Sequence, residues 1–582
     1  MSVPLSRIVA AQVADRDAAH EGASTMTPVA FGGRFGWLHQ PAVLHDGAAG
    51  VVLVSPIGRE ARCAHRPMRL LADRLARAGY PTLRYDHIGH GDSLDLTDDG
   101  DALPEWIAGV RAAADFLKTE AGQRPIVLGG VRLGASLAAL AADGDKGIDG
   151  LMLLAPVVSG KAWLRELRLA GAMSGTVSEV AAAAGGLEAD GLALSPATAR
   201  GLAAVNLKTL DRPPAHVLLV VQNELVAALG EPLKARGAAV SEQDFAGYDP
   251  LFEDAHSNQA PEAVFAQAVD WLKAAMPIDH EAGTLSGSRA LSCLLEQSGW
   301  METPVAFGAG LWGLLTRPDA TTPVRKAVIF LNTGGDPRAG IGRFAAEASR
   351  ALAAQGIASL RFDFPGVGDS ADPADGRRHI YEVSRLADVR AAMALMAAEG
   401  YADVTLTGVC AGGHHAIQAA IADTSVRKAL AISPVKLVWR AGDSLAVGKR
   451  DQGRATAFYV SGLTNPTTWK RLLTGDIHVF SVLKTLTTRL ASRFAARRDD
   501  GTKAFRDQVL AVSDRGGKVR IIVGIDDASL DEVETYFGPK GAQLDRLPGM
   551  AVSVVPGVDH GLARSESRRH ALADLIALVG ED

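Results

Sequence analysis

Cysteine is nearly absent from this chain, with three in 582 residues: Cys63, Cys293 and Cys410. So few exclude a disulfide framework, and with none in a CxxC pair nothing points to a zinc site, another metal or a redox dithiol. A reducing, cytoplasmic setting is expected. Aromatic residues make up 5%, and neither sign of charge dominates, the formal net charge being −6. That balance leaves no global attraction for nucleic acid or an anionic membrane. No run reaches the roughly 18 uninterrupted apolar residues of a membrane span. The N-terminal stretch soon carries Asp15, Asp17 and Glu21, which is unlike a secretory signal. Residues 1–25 read as an N-terminal arm, with Met26 as an alternative start.

What is present is repetition. The hexapeptide TPVAFG occurs at 27–32 and again at 303–308, 276 positions later. LRYD with GHGDS (83–86, 89–93) returns as LRFD with GVGDS (360–363, 366–370), at an offset of 277. Near-constant spacing over such a distance marks an internal duplication. Within each half, apolar β-branched runs such as VVLVSP or KAVIFLN alternate with helix-periodic stretches. Continuously apolar strands separated by helices predict an α/β fold, with a doubly wound, mostly parallel sheet in each half. The halves are placed at 26–277 and 296–582, joined by a linker at 278–295.

Chemistry concentrates in the second half. GVCAGG, at 408–413, follows the β-branched run VTLT and opens a helix-like stretch, which describes a nucleophile elbow with cysteine at its centre. A strand turning sharply into a helix needs small neighbours and exposes the central side chain at a helix N-terminus, where a thiol is more acidic. The competing reading of Cys410 is a small buried cysteine between strand and helix. A cysteine nucleophile needs a base, and the base an acid to fix its tautomer. Asp527, after the apolar run 519–523, and His560, in the glycine-flanked loop PGVDHG, supply both in the order Cys410, Asp527, His560. Asp526 and Asp559 are rivals for the acid. The oxyanion hole is expected from the Ala411 N–H and from Gly334 in the exit loop NTGG, unless that loop is an ordinary tight turn. Asp363, Asp369 and Ser370 recur in the other half and read as loop architecture.

The first half lacks a nucleophile. Its elbow, GVRLG, places Arg132 in register with Cys410, and Glu224 and His256 fall at the acid and histidine positions. A guanidinium stays protonated, so Arg132 cannot attack a carbonyl. Either this half is a structural relic, with an Arg132–Glu224 ion pair in place of the triad, or Arg132 grips a carboxylate or phosphate. Cys63 follows a strand without an elbow and Cys293 lies in an apolar run, so both read as structural. About 25 additional residues lie between elbow and acid strand in the second half, where such sheets carry a lid. The lid is placed at about 436–515; its Trp439, Phe458, Tyr459, Trp469 and Phe480 suit either an apolar substrate or packing on the sheet. Its basic residues (Lys436, Arg440, Lys449, Arg450, Lys470, Arg471) suit either an anionic acyl carrier or a solvated face.

With these motifs in place, both halves resemble the α/β-hydrolase superfamily. Through RFDFPGVGDS and GVCAGG the second half is similar to serine-aminopeptidase-like hydrolases. Both halves, the first especially through LARAGYPTLRYD and GVRLGA, resemble hydrolases of exosortase and exopolysaccharide gene clusters. The resemblance implies two tandem α/β-hydrolase domains, the second with a larger helical lid. It also implies an acyl hydrolase of esterase, lactonase or thioesterase type, and no cofactor. The substrate would be a small-molecule or lipid- or carrier-linked acyl compound. An acyltransferase using the same cysteine and a catalytically silent scaffold stand as alternatives.

Overall fold

Apolar runs become the central strands of two sheets built on one plan. The computed structural model describes residues 24–279, 293–440, 443 and 500–581, apart from 98, 120, 121, 123, 124 and 320–324. The first half holds β1 (Ser24–Phe31), β2 (Arg34–Pro41), β3 (Gly50–Val54), β4 (Thr82–Tyr85), β5 (Ile126–Val131) and β6 (Gly150–Leu154). A short hairpin, β7 (Leu187–Ala189) and β8 (Leu192–Leu194), precedes β9 (His216–Val221) and β10 (Ala239–Asp244). The second half holds β11 (Leu295–Gln297), β12 (Trp300–Phe307), β13 (Leu311–Pro318), β14 (Lys326–Leu331) and β15 (Ala358–Phe362). It continues with β16 (Asp403–Val409), β17 (Lys428–Ile432), β18 (Lys518–Gly524) and β19 (Met550–Val555).

Strand order in the first sheet is β1-β2-β4-β3-β5-β6-β9-β10. In the second it is β11-β12-β13-β15-β14-β16-β17-β18-β19, the same order with β11 added at the edge. From β4 and β15 onward every pairing is parallel. Strands such as β3, GVVLV, are buried throughout because helices cover both faces. One of these, Gly58–Arg77, buries Ala64, Met68, Leu71, Ala72 and Leu75, spaced to share one side of a helix.

One boundary shifts. Strand β1 begins at Ser24, inside the expected N-terminal arm, because its full length pairs with β2 as far as Pro41. Residues 280–292, most of the expected linker, lie outside the described residues, as do 444–499 of the expected lid with Lys449, Arg450, Phe458, Tyr459, Trp469, Lys470, Arg471 and Phe480. Among the described residues no helix is long and apolar enough to cross a membrane.

The halves meet along a seam that uses the duplicated motif twice. Asp86 and Asp363 each accept the backbone N–H six residues on, from Asp92 and Asp369. Ser93 and Ser370 donate back to the carbonyls of the same two aspartates. The loops then exchange charges: Arg84 of β4 reaches Asp369 at 2.6 Å, and Arg361 of β15 reaches Asp92 at 3.0 Å. Arg338 sits between them, one Nη 2.7 Å from both Asp363 and Asp369 and the other 2.8 Å from Asp92. Beside this polar knot, Trp37 and Trp312 pack edge to face with centroids 4.9 Å apart, against buried Phe35, Leu295 and Leu314.

Candidate active site

At the end of β16 the chain turns through Cys410 with φ 55° and ψ −110° and enters the helix Ala411–Ala422. Such angles cost a non-glycine residue about 1–3 kcal/mol and persist only where the surroundings enforce them. Here they do: a Cβ on Gly408 would lie 2.6 Å from the Gly412 backbone, and one on Gly412 would lie 2.6 Å from the Leu331 carbonyl. Only glycine lets the helix approach the end of β14 so closely.

The turn aims the Cys410 thiol at His560. The His560 ring lies beyond β19, its Nδ1 3.1 Å from each carboxylate oxygen of Asp527. With Nδ1 engaged, Nε2 is the ring nitrogen left for the thiol, with which His560 shares a hydrogen bond. Asp527 is buried just past β18 and also accepts from the Ser529 N–H at 2.9 Å and the Ser529 hydroxyl at 3.0 Å. Asp526 is exposed. Asp559 is occupied with its own loop, accepting from the N–H groups of Ala563 and Arg564 and from the Ser567 hydroxyl. The structure therefore brings Cys410, His560 and Asp527 together and leaves both rivals aside.

The electrostatics favour a charged pair. Burial opposes ionisation of Cys410, but His560, the Tyr381 hydroxyl and the Ala411 N–H outweigh it and hold the thiol below its ordinary value. Burial likewise opposes a charge on His560, yet Asp527 and Cys410 raise it well above the ordinary imidazole value. Asp527 is lowered against its own burial, chiefly by His560. The arrangement suits a thiolate–imidazolium pair with a carboxylate behind it.

Tyr381 carries no signal in the sequence. It stands in an irregular loop before the helix Leu386–Ala398, with no counterpart in the repeated motifs. Its hydroxyl lies 3.5 Å from Cys410 Sγ, and its ring stacks on Trp439 at 5.0 Å. His414 and His415, on the helix behind the elbow, point their ring N–H groups at the carbonyls of Lys436 and Ile380. Burial pushes them down to about 4 and about 3, so both are neutral packing groups.

Gly334, with φ 58°, lies in the exit loop of β14. The neighbouring Gly335 N–H is already committed, donating to the His256 Nδ1 of the first half at 3.1 Å.

The first half keeps the elbow backbone without its chemistry. Arg132 has φ 54° and ψ −124°, and a Cβ on Gly134 would fall 2.2 Å from the Val54 carbonyl. The expected Arg132–Glu224 pair is replaced: Arg132 binds Glu60 at 2.8 Å and Glu166 at 2.6 Å, beneath the Tyr248 ring. Glu224 is exposed at the start of the short helix Glu224–Ala227, whose backbone carries its side chain outward. His256 is not at the relic site either. Asp254 accepts the N–H groups of His256 and Ser257, and the turn so formed delivers the ring to the other half. Cys63 is buried, its thiol pushed up to about 11 by desolvation. Burial raises the half-buried Cys293 too.

The profile of the serine aminopeptidase S33 family matches residues 49–225. That of the alpha/beta hydrolase family matches residues 328–575. The chain is two α/β-hydrolase domains in tandem. The superfamily is one of hydrolases, but neither elbow of this tandem carries the serine that the aminopeptidase name implies. No curated protein matches the sequence. Among solved structures, Est1E from Butyrivibrio proteoclasticus with bound ferulic acid is 18% identical with TM-score 0.33, over 42% of this chain and 99% of its own. DcsB in complex with its substrate analogue is 13% identical with TM-score 0.32, over 44% of this tandem and 99% of its own chain. Brefeldin A esterase, a bacterial homologue of human hormone sensitive lipase, is 16% identical with TM-score 0.28, over 44% and 75%. Each corresponds to less than half of the tandem, and such similarity carries nothing about its substrate.

Proposed function

We propose that the second domain is an acyl hydrolase of ester or thioester type, with Cys410 as nucleophile, His560 as base and then acid, and Asp527 fixing the His560 tautomer. The observation that supports it is His560, held through Nδ1 by Asp527 while its other edge meets the elbow thiol. The thiolate attacks the acyl carbonyl, and the tetrahedral oxyanion takes N–H donors from Ala411 and Gly334. The leaving group departs with the proton of the His560 imidazolium, leaving a thioester on Cys410. Neutral His560 then removes a proton from water as it attacks the thioester and keeps it while Cys410 departs as thiolate, which restores the thiolate–imidazolium pair.

The first domain contributes no nucleophile. Two carboxylates already neutralise Arg132, which favours the relic reading over capture of an external anion. The substrate class is a small-molecule, lipid-linked or carrier-linked acyl compound. The resemblance to hydrolases of exopolysaccharide clusters makes acylated surface saccharides and lipids the first natural substrates to examine.

The test is mass spectrometry and turnover with short-chain p-nitrophenyl esters and acyl thioesters, comparing wild type with Cys410→Ala. An acyl adduct on Cys410, with turnover lost in the variant, is expected. No adduct on the wild type, together with unchanged behaviour of the two proteins across the panel, defeats the proposal and leaves a binding scaffold. Product appearing only when an alcohol or amine is added moves the reaction to acyl transfer.

A further inference from the structure

The first domain reaches into the part of the second that must hold the oxyanion. Loop 332–340, which leaves β14, carries three contacts from the other half within four residues. His256 accepts the Gly335 N–H at 3.1 Å, Arg62 lies 3.3 Å from the Asp336 carboxylate, and Asp92 binds Arg338 at 2.8 Å. Inside the second domain the same loop is tied by Asn332, whose amide donates to the Asp336 carbonyl at 3.0 Å and to Asp363 at 3.1 Å.

The fit around His256 is tight. A Cβ on Gly334 would lie 2.5 Å from the His256 ring, and one on Gly335 would lie 2.1 Å from the Ala255 carbonyl. The two glycines thus admit a segment of the first domain against their backbone. A peptide plane has one rotational freedom that matters here: turning the Gly334–Gly335 peptide swings its N–H and C=O together. Binding the Gly335 N–H to His256 holds that plane and one side of the Gly334 Cα, so the Thr333–Gly334 peptide, which carries the Gly334 N–H, turns against a fixed neighbour.

The geometry points to His256 as a positioning residue for catalysis in the other domain: it holds loop 332–340 so that the Gly334 N–H faces the oxyanion formed at Cys410. This rests on the hydrolase reading above. The relic domain is then an internal support for the oxyanion hole, a role its own elbow does not reveal. Asn at position 256 offers an acceptor oxygen near the place of Nδ1, whereas Ala offers none.

The experiment compares wild type, His256→Ala and His256→Asn in the full chain. Turnover of a p-nitrophenyl ester reads the oxyanion hole. Alkylation of Cys410 by iodoacetamide reads the thiolate, since displacement of iodide forms no oxyanion. Hydrogen exchange over 332–340 reads the loop. His256→Ala is expected to lower kcat about 10- to 100-fold with KM nearly unchanged, to speed exchange in the loop, and to leave alkylation within about twofold. His256→Asn is expected to recover most of kcat and of the protection. Unchanged kcat in His256→Ala, failure of Asn to recover it, or a parallel fall in alkylation overturns the inference while the hydrolase reading stands. A wild type that turns over no ester or thioester removes that reading, and this inference with it.

Discussion

The Tyr381 hydroxyl lies 3.5 Å from the Sγ of Cys410. Burial and the neighbouring thiol keep Tyr381 protonated, its ionisation pushed well above the usual phenol range. It can therefore only donate to a thiolate. A hydrogen bond to a charged acceptor contributes about 1.5–3 kcal/mol, or about one to two pKa units. Tyr381→Phe is expected to raise the Cys410 pKa by that amount, measured as the midpoint of iodoacetamide alkylation against pH, with the fold unchanged by circular dichroism. An unmoved midpoint would mean that the hydroxyl does not bear on the thiolate.

The pH dependence of that reaction has a definite sign. Cys410 is held below the ordinary thiol value of 9.0, and His560 above the ordinary imidazole value of 6.5. The thiolate thus persists to lower pH than that of an ordinary thiol, and alkylation falls as acid carries the pH down through the lowered Cys410 value. Removing the imidazolium in His560→Ala takes away the main favourable charge while burial still opposes ionisation. The midpoint then moves up, toward or past 9.0. A His560→Ala profile that overlays the wild type would show that the two groups are uncoupled.

The duplication, the alternation of strands and helices and the order Cys410, Asp527, His560 were legible because they rest on local pattern: β-branched runs, glycines at a forced turn, loop residues after strands. Asp527 over Asp526 was not, because neighbouring side chains diverge and only the fold decides which is buried. Tyr381 lay in a loop without periodicity. His256 was misplaced for a different reason. Chain order puts it where a triad histidine belongs, but its ring faces the other domain, and contacts between domains leave no mark on spacing within one. Asp363, read as loop architecture, does cap its loop by holding the Asp369 N–H, whereas Asp369, like Asp92, spends its carboxylate on an arginine across the seam, a use that only the packing shows.

Arg132 separates structure from activity in the first domain. Its guanidinium is buried against Glu60, whose side chain is 16% exposed, and Glu166, which is 61% exposed. Removing one partner of a buried pair costs about 3–5 kcal/mol, and the exposure of Glu166 reduces this, so Arg132→Ala is expected to cost about 1–3 kcal/mol. Combining it with Glu60→Gln should recover part of that loss. Ester turnover should remain near wild type in both proteins at 25 °C. Folded Arg132→Ala protein without turnover would refute the relic reading.

The seam also predicts how acid acts on the tandem. Glu302 of β12 is fully buried, and burial alone would raise its carboxyl. Arg361 at 2.7 Å and Arg350 at 2.9 Å outweigh that and hold it down to about 2. A carboxyl lowered in the fold contributes stability that is complete above its ordinary value of 4.5 and is lost as pH falls toward the folded value near 2. That interval corresponds to about 3 kcal/mol. Because Arg361 and Arg350 also hold Asp92 and the Asp92 and Ser93 carbonyls of the first domain, protonating Glu302 loosens both arginines and the seam between domains. Thermal unfolding of wild type should shift steeply downward between pH 4.5 and pH 2.5. Glu302→Gln should start lower at neutral pH and lose less over the same interval. Arg361→Met, which leaves Glu302 and Asp92 short of a partner, should cost about 3–5 kcal/mol at neutral pH, and adding Glu302→Gln should return a measurable part of it. Parallel acid slopes in wild type and Glu302→Gln would exclude Glu302 as the group through which acid weakens the seam.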